Sequence, residues 1–259
     1  MTLPWLEETD YSFPPVDTAL EDPNGLLAVG GDLSVARLIV AYRQGIFPWY
    51  EEGGPLLWWS PNPRSVLIPE QFRISRSLRK KLNSQRFTVT CNQAFEVVVE
   101  ACSDTRAYTS STWITPYMQR AYCRLHEMGY AHSIEVWEDK QLVGGLYGVS
   151  MGRIFFGESM FHRVTDASKV AFAYLSRLLD LAGFPIIDCQ VENPHLNSLG
   201  AIDMERQEFL DLVTLYTAKP APHNLWKPRK LRLAAVSTST AATSSTSIST
   251  TSSTSKPSE

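Results

Sequence analysis

The sequence predicts an α+β protein with a central sheet, and three observations carry that prediction. Single-residue apolar alternation and three-to-four-residue apolar spacing take turns along the chain. Gly, Pro, Ser and Asn stand at the changeovers, as helix caps and turns require. At 259 residues, 44% hydrophobic and 20% charged, the chain has ample core for one large domain or two unequal ones.

The first 63 residues are irregular and rich in Pro, Gly and Trp, which marks a small N-terminal domain over 1–63. One clear helix stands in it: Asp32 or Ser34 offers the N-cap, Ala36, Leu38, Ile39, Val40 and Tyr42 supply apolar faces, and Gly45 stops it. Trp49, Trp58 and Trp59 then crowd among prolines in "FPWY" and "LLWWSPNPR". Such tryptophans make a satellite core, a stacking surface for a base or aromatic ligand, or both.

From Arg64 the pattern changes to alternating strands and helices, a larger domain over 64–235. "SVLIP" reads as a strand, "SRSLRKKLNSQ" as a helix opened by Ser75, and "FTVTCN" as a strand. "NQAFEVVVEACSD" reads as a helix capped by Asn92, and "TPYMQRAYCRLHEMG" as one with Pro116 in its first turn and Gly129 at its end. "AHSIEVWED" and "QLVGGLYGVSMG" form a hairpin, and "RIFFGESMF" is the next strand. "ASKVAFAYLSRLLDLAGF" is a strongly amphipathic helix, and "PIIDCQ" the strand after it. From Val236 the chain is nearly all Ser and Thr; a segment that cannot form a core predicts a disordered tail over 236–259.

Composition excludes several classes. No apolar run approaches the roughly 20 residues a membrane helix needs. The acidic N-terminus has no basic-then-apolar leader pattern, so the expected location is the cytoplasm. Cys91, Cys102, Cys123 and Cys189 are scattered without a C-x-x-C pair, which argues against a zinc ribbon or disulfide framework. Net charge is −3, so nucleic-acid contact requires a local basic patch.

Such a patch exists in "RISRSLRKKLNSQR". Leu78 and Leu82 face the core, while Arg76, Arg79 and Lys80 share another face, either a solvated helix surface or a phosphate-backbone site. In "RIFFGESMF", strand alternation places Ile154, Phe156, Glu158 and Met160 on one face. A glutamate among them needs a cationic or hydrogen-bonding partner; it is a structural carboxylate paired with an Arg, or a polar anchor in an apolar pocket. Asp188 and Gln190, two apart in "IDCQ", fall on one strand face opposite Ile187 and Cys189, with Asn193 and His195 just beyond. They are a polar network fixing a strand end, or chemistry at a strand exit. "GESMF" lacks the second glycine of a nucleophile elbow, "HEMGYAH" lacks metal-pair spacing, and "GGLYGVSMG" lacks the dinucleotide-loop order.

Taken in order, "DPNGLLAVGGDL", "GIFPWY", "WWSPNPR", "TWIT", "AHSIEVW", "LVGGLYG", "GESMF", "ASK", "IDCQ" and "HLNSLGA" resemble the signatures of the leucyl/phenylalanyl-tRNA–protein transferases, from about residue 20 to 230. The resemblance implies a bacterial cytoplasmic enzyme that moves Leu or Phe, with Met a further option, from charged tRNA to proteins with N-terminal Arg or Lys. The product is a destabilising N-terminus that marks them for N-end-rule degradation. It implies a small N-terminal domain before a GNAT-like domain, the acyl-CoA N-acyltransferase superfold. Acyl-CoA users of that superfold carry a glycine-rich pyrophosphate loop; the corresponding "FHRVTDASK" has no glycine, so a charged tRNA suits the site better than CoA. No cofactor and no metal are expected, and a monomer is assumed.

Carried over by position, Trp49 and Trp113 resemble the walls around the terminal adenosine and aminoacyl group. Leu146 and Met160 resemble the side-chain pocket lining, Glu158 a holder of polar substrate groups, and Arg76, Arg79 and Lys80 the tRNA-facing patch. Asp188 and Gln190 match the family's proposed catalytic pair, and Asn193 is the candidate oxyanion donor. The implied reaction is aminolysis of an ester already activated by charging, so the protein's task is positioning and oxyanion stabilisation. A glutamine amide is a very weak base; Gln190 would orient the amine through its carbonyl oxygen, with Asp188 holding the amide or drawing off positive charge. Two rival readings are a small-molecule N-acyltransferase on the same superfold and a non-catalytic tRNA-binding module.

Overall fold

The computed structural model describes residues 3–106 and 114–233. Trp113 and the Ser/Thr-rich tail lie outside the described residues. The N-terminal stretch holds β1 (Trp5–Leu6), β2 (Leu26–Gly30), α1 (Val35–Arg43), β3 (Phe47–Pro48) and β4 (Leu57–Trp59). Then follow β5 (Arg64–Leu67), α2 (Arg76–Asn83), β6 (Thr88–Cys91), α3 (Phe95–Arg106), α4 (Pro116–Glu127), β7 (Ala131–Glu138) and β8 (Gln141–Met151). The remainder is β9 (Ile154–His162), α5 (Ala167–Leu181), β10 (Ile187–Gln190), α6 (Pro194–Ser198), β11 (Ile202–Met204), α7 (Arg206–Thr217) and β12 (Arg229–Lys230).

The expected mixed α/β architecture is present. A large sheet runs β11-β5-β10-β9-β8-β7-β6-β12. Its neighbours are antiparallel except β9 and β10, which are parallel and joined through α5. The stretch before Arg64 is more regular than its composition suggests, because β1-β2-β4-β3 form a sheet of their own. Trp58 of β4 is fully buried and donates its indole N–H to the Gly30 carbonyl.

Two apolar layers enclose the large sheet. On one side Leu38 and Tyr42 of α1, Phe95 and Val98 of α3, Tyr122 and Leu125 of α4, and Phe209 of α7 pack with Tyr147 and Phe156. Leu27 and Trp58 of the small sheet belong to that same cluster, so the core is continuous across residue 64. On the other side Val170, Ala171 and Leu175 of α5 and Leu78 of α2 pack with Leu146, Phe155 and Ile187.

Local chemistry sets the helix ends. Ser34, Ser75 and Thr115 accept from the third residue on, as N-caps. Asn92 does not cap α3. Its side chain instead ties Ser133 and Trp226, and the N–H groups of Gln93 and Ala94 donate to the buried Glu135 of β7. A carboxylate at a helix N-terminus also complements the helix dipole, so a neighbouring strand supplies the cap.

Two of the breaks in strand alternation, on β9 and β10, differ from the expected pattern at the candidate site. On β9, Phe156 faces Val149 and Gly157 faces Gly148, but Ser159 faces Tyr147, which leaves Glu158 as an extra residue. The bulge reverses the side-chain parity. Ile154 and Phe156 pack with the α3/α4 layer, whereas Met160 packs with the α5 layer. The shared face expected for Glu158 and Met160 is therefore absent. Gly148 makes the bulge possible, since a Cβ there would lie 2.2 Å from the Phe156 carbonyl oxygen. On β10, Cys189 is the extra residue between Asp188 and Gln190, and Gln190 sits at φ 64°. Asp188 and Gln190 are not successive members of one strand face.

Candidate active site

The pairing of β9 with β10 stops at Phe156 and Asp188, where the two bulges lie side by side. A cavity of about 650 Å³ opens there. Its apolar wall comes from Leu146, Phe155, Met160, Phe172, Leu175 and Ile187, and its mouth from Trp49 and Trp59. The two indoles meet edge to face at 5.6 Å, and the Trp59 ring N–H donates to the Trp49 carbonyl at 2.7 Å. Trp49 is 43% exposed, so its ring is open to a ligand.

The polar end holds Glu158, Asp188, Gln190 and Asn193. Asp188 is 0% exposed and lies in a bidentate pair with Arg64, whose Nε donates to Oδ1 at 2.8 Å and whose second terminal nitrogen donates to Oδ2 at 2.7 Å. The guanidinium lies between the Phe47 and Phe209 rings, 4.7 and 4.6 Å from their centroids, and donates to the Gly45 carbonyl. Such a pair leaves both Asp188 carboxyl oxygens engaged. Asp188 also accepts from the Gln190 backbone N–H at 2.8 Å. It holds the left-handed backbone at Gln190 in place, not that residue's side-chain amide.

Glu158 holds the amide instead. Its Oε1 accepts from Gln190 Nε2 at 3.1 Å and from the Tyr42 hydroxyl at 2.7 Å, and its Oε2 contacts the Tyr122 hydroxyl at 2.7 Å. The two hydroxyls are 2.8 Å apart. Burial pushes the Glu158 carboxyl up to about 7, and the nearby Asp188 charge adds to the rise against the opposing hydrogen bonds. Burial foremost, then Glu158, raises both tyrosine hydroxyls well above their ordinary value. Asn193 is exposed at the rim, and its side-chain oxygen caps α6 by accepting from the His195 N–H at 2.8 Å.

The fold thus gathers Trp49, Leu146, Glu158, Met160, Asp188, Gln190 and Asn193 around one cavity. Arg76, Arg79 and Lys80 are not among its lining residues; Arg76 and Lys80 are exposed on α2, and Arg79 is half-buried. Arg64, Tyr42 and Tyr122 join the site without being among the site residues expected from the sequence. The expectation that a carboxylate on β9 needs a partner was sound, but its partners lie 116 and 36 residues away. The Arg-paired carboxylate is Asp188. Among the described residues no His, Cys, Asp and Glu cluster could hold a metal ion, and no helix is long and apolar enough to cross a membrane.

Comparison with known proteins places the chain among relatives. Residues 66–214 match the family model described as leucyl/phenylalanyl-tRNA protein transferase, and residues 31–62 match that of its N-terminal domain. Proteins named leucyl/phenylalanyl-tRNA–protein transferase are similar over most of their length. The one from Pseudomonas aeruginosa is 56% identical over 86% of this chain and 99% of its own. The one from Stutzerimonas stutzeri is 55% identical over 85% and 97%, and that from Idiomarina loihiensis 53% over 88% and 97%. Among solved structures, that of L-PGS from Bacillus licheniformis aligns at a TM-score of 0.38 with 10% identity, over 65% of this chain and 54% of that one. That score is too low to establish a shared fold.

Proposed function

Because the chain belongs to the leucyl/phenylalanyl-tRNA protein transferase family, and so moves Leu or Phe from aminoacyl-tRNA to the α-amino group of proteins beginning with Arg or Lys, we propose that the cavity between β9 and β10 is where transfer occurs. The observation that carries this reading is an apolar recess placed directly beside a glutamine amide whose orientation is fixed. Leu146 and Met160, cross-strand partners on β8 and β9, line the recess for the aminoacyl side chain. Trp49 and Trp59 at its mouth offer a stacking surface for the terminal adenosine. An apolar recess shaped to side chains unbranched at Cβ admits Leu and Phe and excludes β-branched Val and Ile by clash.

In the reaction the acceptor nitrogen attacks the ester carbonyl carbon, and the bond to the ribose oxygen breaks. One proton passes from nitrogen to that oxygen. An α-amine with a pKa near 8 is about a tenth neutral at pH 7, so positioning is the larger part of the task. Gln190 directs the amine by accepting from it through its carbonyl oxygen, the amide end that Glu158 does not engage. Asn193 uses its own side-chain oxygen for the α6 cap, which leaves its amide nitrogen for the developing oxyanion. Of the lining carboxylates, Asp188 and Glu158 are engaged in the interior, whereas Glu192 is exposed and bonded to Asn197 through one oxygen. Glu192 meets the cationic side chain of the acceptor.

Arg76, Arg79 and Lys80 on α2 take tRNA phosphates outside the cavity. The larger domain is GNAT-like; the support is the parallel β9–β10 pair joined through α5, with glycine-free "HRVTDASK" standing where a CoA pyrophosphate loop would be. The test is to mix the protein with Leu-tRNA and a peptide beginning with Arg, and to weigh the peptide. The expected mass gain is one leucyl residue, and Gln190→Ala lowers the single-turnover rate about a hundredfold with tRNA affinity retained. Calorimetric binding of CoA, or tRNA binding with no mass gain, would overturn the proposal.

A further inference from the structure

We propose that Glu158, Tyr42 and Tyr122 form a closed, protonated hydrogen-bond ring whose task is to fix the Gln190 amide with its carbonyl oxygen towards the substrate. The inference rests on the transfer reading above and adds positioning residues to it.

A proton count carries it. Among the described residues the group has four short polar contacts: Tyr42 to Glu158 Oε1, Tyr122 to Glu158 Oε2, Tyr42 to Tyr122, and Gln190 to Glu158 Oε1. Each needs one proton between its heavy atoms, or two lone pairs face each other in a buried site. The hydroxyls bring two protons. If Glu158 were ionised, the Gln190 amide would add only a third, and one pair of atoms would be left bare. If Glu158 were protonated but the amide turned, with its oxygen towards Glu158, the total would again be three. Only a protonated Glu158 facing the Gln190 NH₂ supplies four.

The same count gives each proton its place. Gln190 and Tyr42 both donate to Oε1, so the carboxyl proton is on Oε2. It is donated to Tyr122, which donates to Tyr42, and the ring closes. The groups facing Glu158 agree with a neutral carboxyl. Tyr42 comes from α1, Tyr122 from α4, with Tyr147 of β8 edge-on behind it, and Gln190 and Asp188 come from β10. Arg64 on neighbouring β5 is already taken up by Asp188. Burial and the Asp188 charge hold the Glu158 carboxyl near 7, well above its ordinary 4.5.

Two measurements on the full chain test the ring. Infrared difference spectra of the substrate-free protein, wild type against Glu158→Gln, should show a protonated-carboxyl band at pH 6 that fades as the pH is raised. Carboxylate bands alone at pH 6 would overturn the proposal, whatever the transfer assay gives. In single-turnover transfer, Glu158→Ala should lose about a hundredfold. Glu158→Gln should restore most of that loss, since its amide reproduces the pattern of one acceptor at Oε1 and one donor at Oε2. It should also lose the component of the pH profile that Glu158 contributes around 7, keeping only the rise from the acceptor amine. A Glu158→Gln rate as low as that of Glu158→Ala would overturn the ring, because it would mean that an ionisable carboxylate is required. Should Glu158→Ala not fold, Tyr122→Phe serves as the broken-ring variant. Absence of transfer by the wild type would defeat the functional reading alone, and the infrared band would then decide the ring.

Discussion

Glu158 holds the Gln190 amide that the family resemblance assigned to Asp188, and Asp188 takes the arginine that was one of the two partners expected for Glu158. Asp188 has the appearance of a reacting acid beside Gln190, yet it is sealed against Arg64 and holds only backbone. Removing one member of a buried pair leaves the other charge without compensation, at a cost of about 3–5 kcal/mol. Asp188→Ala is therefore expected to lose that much stability in denaturant unfolding, with its loss of transfer following from the damaged fold. Replacing the pair together, Arg64→Met with Asp188→Leu, should recover much of the stability and little of the transfer, because the Gln190 backbone loses its anchor. A chemically active Asp188 would instead give a folded, fully stable and inactive Asp188→Ala. The need for a partner at Glu158 was legible from one carboxylate among phenylalanines. Tyr42 was legible only as an apolar helix residue, because nothing in its neighbourhood in sequence shows where its hydroxyl ends.

Elements whose logic is local match their sequence pattern. The helix α2 starts at Ser75 because the serine oxygen takes the Leu78 N–H, and its leucines turn inward while Arg76 and Lys80 remain in water. Its charges bind little within the protein, so Arg76→Glu with Lys80→Glu should change stability by no more than about 0.5 kcal/mol. The same variant should weaken tRNA binding and flatten its salt dependence, read by filter binding over a salt series. The log–log slope should fall by roughly one unit for each phosphate that is no longer neutralised. An unchanged slope would place the tRNA elsewhere. β9 and β10 are the contrary case: their bulges follow from Gly148 meeting the Phe156 carbonyl and from the backbone turn at Gln190. Alternation rules cannot see an inserted residue, since it obeys the needs of the partner strand.

Across the whole molecule, the continuous core ties α1 of the N-terminal stretch to α4 and β9, so the site's acidity is linked to global stability. Glu158 is raised from 4.5 to about 7 in the folded state. A raised carboxyl contributes stability that is present in full below about 4.5 and lost as the pH climbs through about 7, roughly 3 kcal/mol in all. Thermal melts of wild type and Glu158→Gln should therefore converge or cross as the pH rises over that window, the wild type losing ground; parallel curves would refute the shift. His132 acts in the opposite sense. Buried and lowered to about 3, it favours the folded state above its ordinary 6.5 and gives that up as the pH falls. By itself the sequence determined a mixed α and β class, the main helices and strands after Arg64, and the family. These follow from caps, periodicity and short motifs, each of which acts over a few residues. The tertiary structure alone decided which carboxylate meets the arginine, which meets the tyrosines, and which way the amide of Gln190 points. Those outcomes depend on groups 32 to 124 residues apart being buried together, where every polar atom must find a partner and every proton has to be shared.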